Sequence, residues 1–145
     1  MKHRVTMVIV GLIVAACAVG VPSDPKSPSK DPQMVLGRTW QWVATITPAE
    51  TIAVAAPERY TILLLADGKV QVRFDCNRGG GEYTIADGAL SFGPLISTRM
   101  ACPPDTQDAL FMRDLSRVRS FFVESDQLNL ELPADSGSMR FRQAP

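Results

Sequence analysis

Histidine is almost missing from this sequence. The chain has 145 residues and one histidine, His3, near its apolar N-terminus. With residues 1–16 removed none is left, which excludes a Ser-His-Asp triad, a Cys-His dyad and any histidine-ligated metal site. Excess charge is missing too. Fifteen basic and 15 acidic side chains cancel, so composition leaves no electrostatic footprint for nucleic acid. There is no apolar run of membrane-spanning length: Val5 to Ala16 is uncharged and mostly aliphatic, but at about 1.5 Å rise per residue it falls short of a ~30 Å hydrocarbon core. Cysteine is scarce, with three residues, and aromatics make up 7%. The length fits one domain.

What is there begins with an address. Lys2, His3 and Arg4 form a basic start ahead of the short apolar segment, the pattern of a secretory signal peptide over residues 1–16. The segment ends Val14-Ala15-Ala16-Cys17, which resembles the bacterial lipobox, an aliphatic and two small residues before a cysteine. By that resemblance Cys17 is lipidated on sulfur and becomes the new N-terminus. The alternatives are an ordinary secretory signal cut elsewhere and an uncleaved anchor. Burial of each acyl CH₂ contributes about 0.8 kcal/mol, so more than one chain is needed for a stable hold on a membrane. Ala18 stands where inner-membrane retention calls for aspartate, so in a diderm source the expected place is the outer membrane, with the domain facing the periplasm. Loss of Lys2 and Arg4 with the leader leaves 13 basic against 15 acidic side chains, a net −2. That mildly acidic balance bears on solubility rather than on a partner.

Residues 17–34 read as the lipidated cysteine and a tether. Pro22, Pro25, Pro28 and Pro32 alternate with polar residues and no apolar period appears, a composition that stays semi-extended at about 3.1 Å per residue. The folded domain is assigned to 35–145. Its patterned part, from Leu36 to Phe141, is roughly 105 residues and buries enough surface to fold alone.

Within the domain, short β-patterned runs dominate. They are Thr39 to Ile46, Arg59 to Leu65, Val70 to Phe74, Glu82 to Ile85, Leu90 to Phe92, Ser120 to Glu124, Leu128 to Leu132 and Ser138 to Arg142. Asp67-Gly68, Asp87-Gly88 and Ser125-Asp126-Gln127 read as hairpin turns. Asn77 to Gly81, with its three glycines, reads as a break in the chain at left-handed φ. Asp105 to Val118 is the one helical period, with Asp105 as its cap and Ala109, Leu110, Met112, Leu115 and Val118 as its apolar face. The expected fold is mainly β (α+β): an antiparallel curled sheet or small, partly open barrel of about eight short strands with one helix.

Three stretches then carry a family resemblance. Leu36-Gly37-Arg38-Thr39-Trp40-Gln41-Trp42, then Cys76-Asn77 with Gly81 and Tyr83, then Thr98-Arg99-Met100-Ala101-Cys102, in this order and spacing, resemble the META domain (HslJ-like) family. Leu128-Asn129-Leu130 and Met139-Arg140-Phe141 fit its closing hairpin. Asp75 departs from the pattern, standing where a small residue, often glycine, precedes the cysteine. The resemblance implies a compact β-rich domain with one helix, often on bacterial envelope lipoproteins, loosely linked to stress response and antibiotic tolerance. It supplies no catalytic residue.

The candidate chemistry is sparse. Once Cys17 is set aside, Cys76 and Cys102 are an even pair in an exported chain, which reads as one structural disulfide. Two reduced thiols, or a redox pair activated by Arg78 or Arg99, are the alternatives. Gly79-Gly80-Gly81 leads into a strand rather than a helix, against a phosphate loop. Asp75 and Glu82 flank the same stretch without a fixed separation, and Asp67, Asp75 and Asp87 lack a calcium-ligand spacing, so no catalytic pair, metal or cofactor is expected. Trp40 and Trp42, two apart on a strand, share one face. They read as core anchors, or as the lining of a small apolar ligand site in a lipocalin-like binder. Arg113, Arg117 and Arg119 read as a solvated, carboxylate-paired face. Taken together, the expectation is a non-enzymatic envelope lipoprotein, membrane-held through its N-terminal lipid, monomeric as a domain, with an envelope protein as partner and no nucleic acid. The other readings are the lipocalin-like binder and a protease-inhibitor-like module using an exposed loop at 76–82.

Overall fold

The computed structural model describes residues 27–145. The expected leader, Cys17 and the first part of the expected tether lie outside the described residues. Ten strands and one helix follow in chain order: β1 (Thr39–Ile46), β2 (Thr51–Ala53), β3 (Tyr60–Leu64), β4 (Lys69–Phe74), β5 (Asn77–Ala86), β6 (Ala89–Phe92), β7 (Ile96–Ser97), α1 (Asp108–Leu115), β8 (Ser120–Glu124), β9 (Gln127–Glu131) and β10 (Ser138–Gln143). All pairings between strands are antiparallel. The path β1-β3-β4-β5-β6-β8-β9-β10 returns to β1 through a long β10–β1 ladder, so the sheet closes into a ring. Its weak point is the β6–β8 seam, joined by the single pair Ala89–Ser120. The mainly β, one-helix architecture is the one expected. The two strands beyond the expected eight are β2 and β7, which flank the ring on β1 and β5.

Alternation builds the interior. In β3 Tyr60, Ile62 and Leu64 are buried, and in β4 Val70, Val72 and Phe74 are buried, with their neighbours turned outward. β1 keeps this period through Trp40 and Trp42. Its register against β10 then shifts between Trp42 and Ala44, a bulge that turns Thr45 into the interior. The bulge is why the sequence pattern loosens after Trp42.

The segment read as a chain break at 77–81 is strand. The two-residue loop between β4 and β5 is Asp75-Cys76, closed by the Phe74–Asn77 pair. None of the three glycines has a positive φ. Their role is close approach: a Cβ on Gly79 would sit 2.6 Å from the Ile96 carbonyl oxygen, and one on Gly81 would sit 2.6 Å from that of Pro94. The bare backbone lets segment 94–97 lie against β5. The inhibitor-like reading of 76–82 loses its exposed loop for the same reason. Asp87-Gly88 and Ser125-Asp126 are the expected hairpin turns, each with positive φ at both central residues. Gln127 belongs to β9 rather than to the turn.

The helix is shorter than its sequence period and rotated from it. It starts at Asp108 because Pro103 and Thr106 close a turn first, and Gln107 rather than Asp105 takes the cap position. The buried side chains are Phe111, Asp114 and Leu115, while Ala109 is exposed. Phe111 is the residue the expected face left out. Its ring centre lies 5.2 Å from Trp42, 5.7 Å from Tyr60 and 6.3 Å from Phe141, in tilted arrangements that aromatic pairs favour.

The end of the tether segment is attached to the sheet. Ser29 pairs with Val123 of β8 through two backbone hydrogen bonds, and Lys30 donates to the Ser120 hydroxyl at 2.9 Å. Val35 is fully buried and its carbonyl accepts from the Trp40 indole at 3.0 Å. Among the described residues the core is one cluster running from Val35 to Phe141, enough buried surface for a domain of this size to fold on its own. Phe111→Ala should lower the unfolding free energy by about 3–5 kcal/mol, the range for emptying a large aromatic site that cannot collapse. Denaturant unfolding of the two proteins checks it; a loss below about 1 kcal/mol would show that the aromatic cluster repacks without Phe111.

Candidate functional site

Two of the stretches that carry the family pattern meet in one place. β5 begins where the 98–102 segment crosses the sheet, and Cys76 and Cys102 form a disulfide there, with Cα atoms 5.6 Å apart. Asn77, 3% exposed, completes the clip with its side chain. Its amide nitrogen donates to the Met100 carbonyl at 3.1 Å and to Cys102 Sγ at 3.2 Å. Its amide oxygen accepts from the Thr98 hydroxyl at 2.9 Å and from the Met100 backbone at 2.7 Å. A buried carboxamide with all of this satisfied fixes one chain path, since a half-satisfied one would be costly. The cysteine-asparagine and threonine-x-methionine-alanine-cysteine stretches are thus two halves of one structural joint.

Asp75 supplies a second fastening at the same loop. Its φ of +63° is the left-handed conformation in which glycine sits without strain, which explains the residue type common at this position in the family pattern. Here the side chain makes up for that strain. Asp75 is 4% exposed and accepts from Arg59 Nε at 2.7 Å, while its backbone N–H donates to the Arg59 carbonyl at 2.7 Å. Arg59 also reaches Asp105 at 3.3 Å, ahead of the helix. Burial pushes the Asp75 carboxyl up, but the neighbouring Thr106 hydroxyl and the Arg59 guanidinium, with the charge of Arg73, outweigh it and hold the carboxyl below its ordinary value. Asp105, expected as a helix cap, is a partner in this network instead. Arg59 and Thr106 carried no sequence signal; the only hint was an aspartate where glycine is common.

The other candidates lie apart from this joint. Trp40 and Trp42 are 1% and 0% exposed and belong to the core. Neither borders the surface depressions of about 360, 380 and 330 Å³, which are lined by other residues. Arg113 and Arg117 pair with the buried Asp114, at 2.9 and 3.8 Å, so two of the three arginines are carboxylate-paired, through a partner within the helix itself, while Arg119 donates to the Val118 carbonyl at 2.9 Å instead. Among the described residues no group of three His, Cys, Asp or Glu side chains is placed to hold a metal ion. Cys17 lies outside the described residues.

An edge-poor antiparallel ring with one inserted helix, clipped by a disulfide, defines a small β-rich module. The META domain model matches residues 33–145, and the chain belongs to the META domain family. The chain resembles a protein from Burkholderia xenovorans solved by NMR, at 26% identity and a TM-score of 0.66, covering 92% of this chain and 99% of that one. A DUF4847 family protein from Bacteroides vulgatus, solved by crystallography, shares the fold at 13% identity and a TM-score of 0.58, covering 76% and 94%. A further NMR structure shares it at 17% identity and a TM-score of 0.59, covering 77% and 93%. No curated protein matches.

Two predictions follow from the joint. Closing a loop of 26 residues in sequence separation contributes about 3.5 kcal/mol on the chain-entropy account, so Cys76→Ser with Cys102→Ser should lower the unfolding free energy by roughly that amount, read from denaturant melts. For Asp75, the folded-state carboxyl titrates below its unfolded value of about 3.9. Its contribution is therefore complete above that pH and is lost as pH falls through the folded value. Wild-type stability should fall across this acid window, and Asp75→Asn should be less stable at neutral pH with a flatter acid slope. Equal slopes would show that Asp75 does not carry the dependence.

Proposed function

We propose that this META protein is a non-catalytic envelope lipoprotein, a folded interaction module held to a membrane by acyl chains on Cys17 and set off from it by a proline-rich tether. The observation that carries the reading is the sequence Val14-Ala15-Ala16-Cys17 after a short basic and apolar leader. The Cys76–Cys102 disulfide supports export, because such bonds persist in oxidising compartments. The non-catalytic part rests on the side chains themselves. The single histidine lies in the leader, the two domain cysteines are joined, and the buried carboxylates Asp75 and Asp114 are engaged by arginines. A role in envelope stress or antibiotic tolerance, exercised through an envelope protein partner, is the physiological setting that the family resemblance supports.

The test is the intact mass of the native protein extracted from membranes. The expected mass is that of residues 17–145 plus a diacylglyceryl group and one acyl chain, with two further alkylations appearing only after reduction. A mass without lipid would overturn the anchor. Two thiols alkylated before reduction would overturn the exported, disulfide-clipped state.

A further inference from the structure

We propose that Arg73 and Arg78 form a binding site for a phosphate group on the outer face of the sheet. The two residues are directly opposite one another on β4 and β5. Like charges at such a pair are destabilising, and sequences ordinarily place a carboxylate or a neutral residue there. Among the described residues neither arginine forms an ion pair. Asp75, two positions from Arg73, is committed to Arg59, and Arg73 reaches only its backbone carbonyl, at 3.3 Å. The Arg78 guanidinium donates no hydrogen bond to a described residue, although the backbone N–H and carbonyl of Arg78 are both held by Thr98. The backbone is thus fixed while the charge is left available.

The surroundings extend the pattern. Register places Arg142, Gln41, Thr61, Arg73 and Arg78 in one row across β10, β1, β3, β4 and β5, three cations and two neutral polar groups with no acid among them. The arginine pair lines a depression of about 360 Å³ together with Thr39, Thr61, Gln71 and Leu63. Two guanidinium forks and neighbouring hydroxyls suit an oxyanion. Two adjacent positive charges match a phosphate monoester, at about −1.5 to −2 near neutral pH, better than a single carboxylate. Leu63 and the size of the depression leave room for a small organic body on that phosphate, either a soluble ester or a lipid headgroup.

The experiment is an NMR titration of segment 27–145 with inorganic phosphate at constant ionic strength, chloride being the compensating anion. Saturable shifts are expected at Arg73, Arg78, Thr61 and Gln71, with affinity at least about tenfold weaker in the Arg73→Gln, Arg78→Gln double variant, since charged hydrogen bonds of this kind are worth that or more. Arg78→Gln alone should leave stability without phosphate equal to or above wild type, because it separates two apposed cations. Shifts that do not saturate, that chloride reproduces, or that survive in the double variant would overturn the site. So would a fall in stability of Arg78→Gln, which would assign the arginines to the fold. Glycerol 3-phosphate, and phosphatidylcholine vesicles with and without phosphatidic acid, then separate the sources. Tighter binding to the soluble ester identifies a soluble ligand, and tighter binding to the acidic vesicles identifies a headgroup. Inorganic phosphate bound with neither ester bound means an adventitious ion only and overturns the proposal.

Discussion

The pairing of β10 back onto β1 is the constraint on which the rest of the structure depends. It joins the two ends of the domain, Trp42 opposite Phe141, and turns a meander into a ring. Closure removes the long unpaired edges that would otherwise recruit another chain. It also creates an interior that must be filled, because a ring of this size tolerates no void. Trp40, Trp42 and Tyr60 fill it from the strands, and Phe111 fills it from the only α-helix among the described residues. The tryptophans are spent on closure. Their bulk, which in the sequence suggested an aromatic lining, is what a closed ring with one inserted helix requires.

Much of this was legible because it is local. Strand period, Asp-Gly turns and the ordered META stretches each depend on residues near one another in sequence, and β1 runs over the residues its pattern indicated. What was not legible depends on distant partners. The glycines at 79–81 are indistinguishable from a flexible turn until segment 94–97 is seen lying against them. The Asp75-Cys76 loop lacks a Gly or Asn at its strained position, so the sequence placed the break two residues late. Phe111 was missed because the stripe it belongs to, Phe111, Asp114 and Leu115 at i, i+3 and i+4, runs through an aspartate whose burial only its arginine partners allow. Arg59 had no signal at all, since its role exists only once β3 and the β4–β5 loop are neighbours.

The joint at Cys76, Asn77 and Asp75 shows how covalent and non-covalent fastenings divide one task. The disulfide limits how far segment 98–102 can stray and acts mainly on the unfolded chain. Asn77 acts on the folded chain, selecting one path for that segment through four contacts of its side chain. Asp75 ties the same loop to Arg59 and, through it, to Asp105 before the helix. The entry to α1 is thus attached to the sheet by two routes that share a single two-residue loop. Effects of removing them should not be independent, because either loss lets the same backbone shift.

That arrangement also bears on where a ligand can act. The joint consumes its polar groups: the cysteines are bonded to one another, the asparagine is fully engaged and the aspartate is ion-paired in a conformation that costs about 1–2 kcal/mol. Asp75 Oδ2 alone keeps no hydrogen bond there, and it is buried. The outer row through Thr61, Arg73 and Arg78 is the converse. Its side chains stand on paired strands whose inner faces hold the core, and among the described residues neither arginine forms an ion pair. A protein commonly gives up some stability to keep a binding surface, and on the proposal of a phosphate site the apposed arginines are where this domain would do so. The inner face and the joint account for the fold, and the outer face is what remains for recognition.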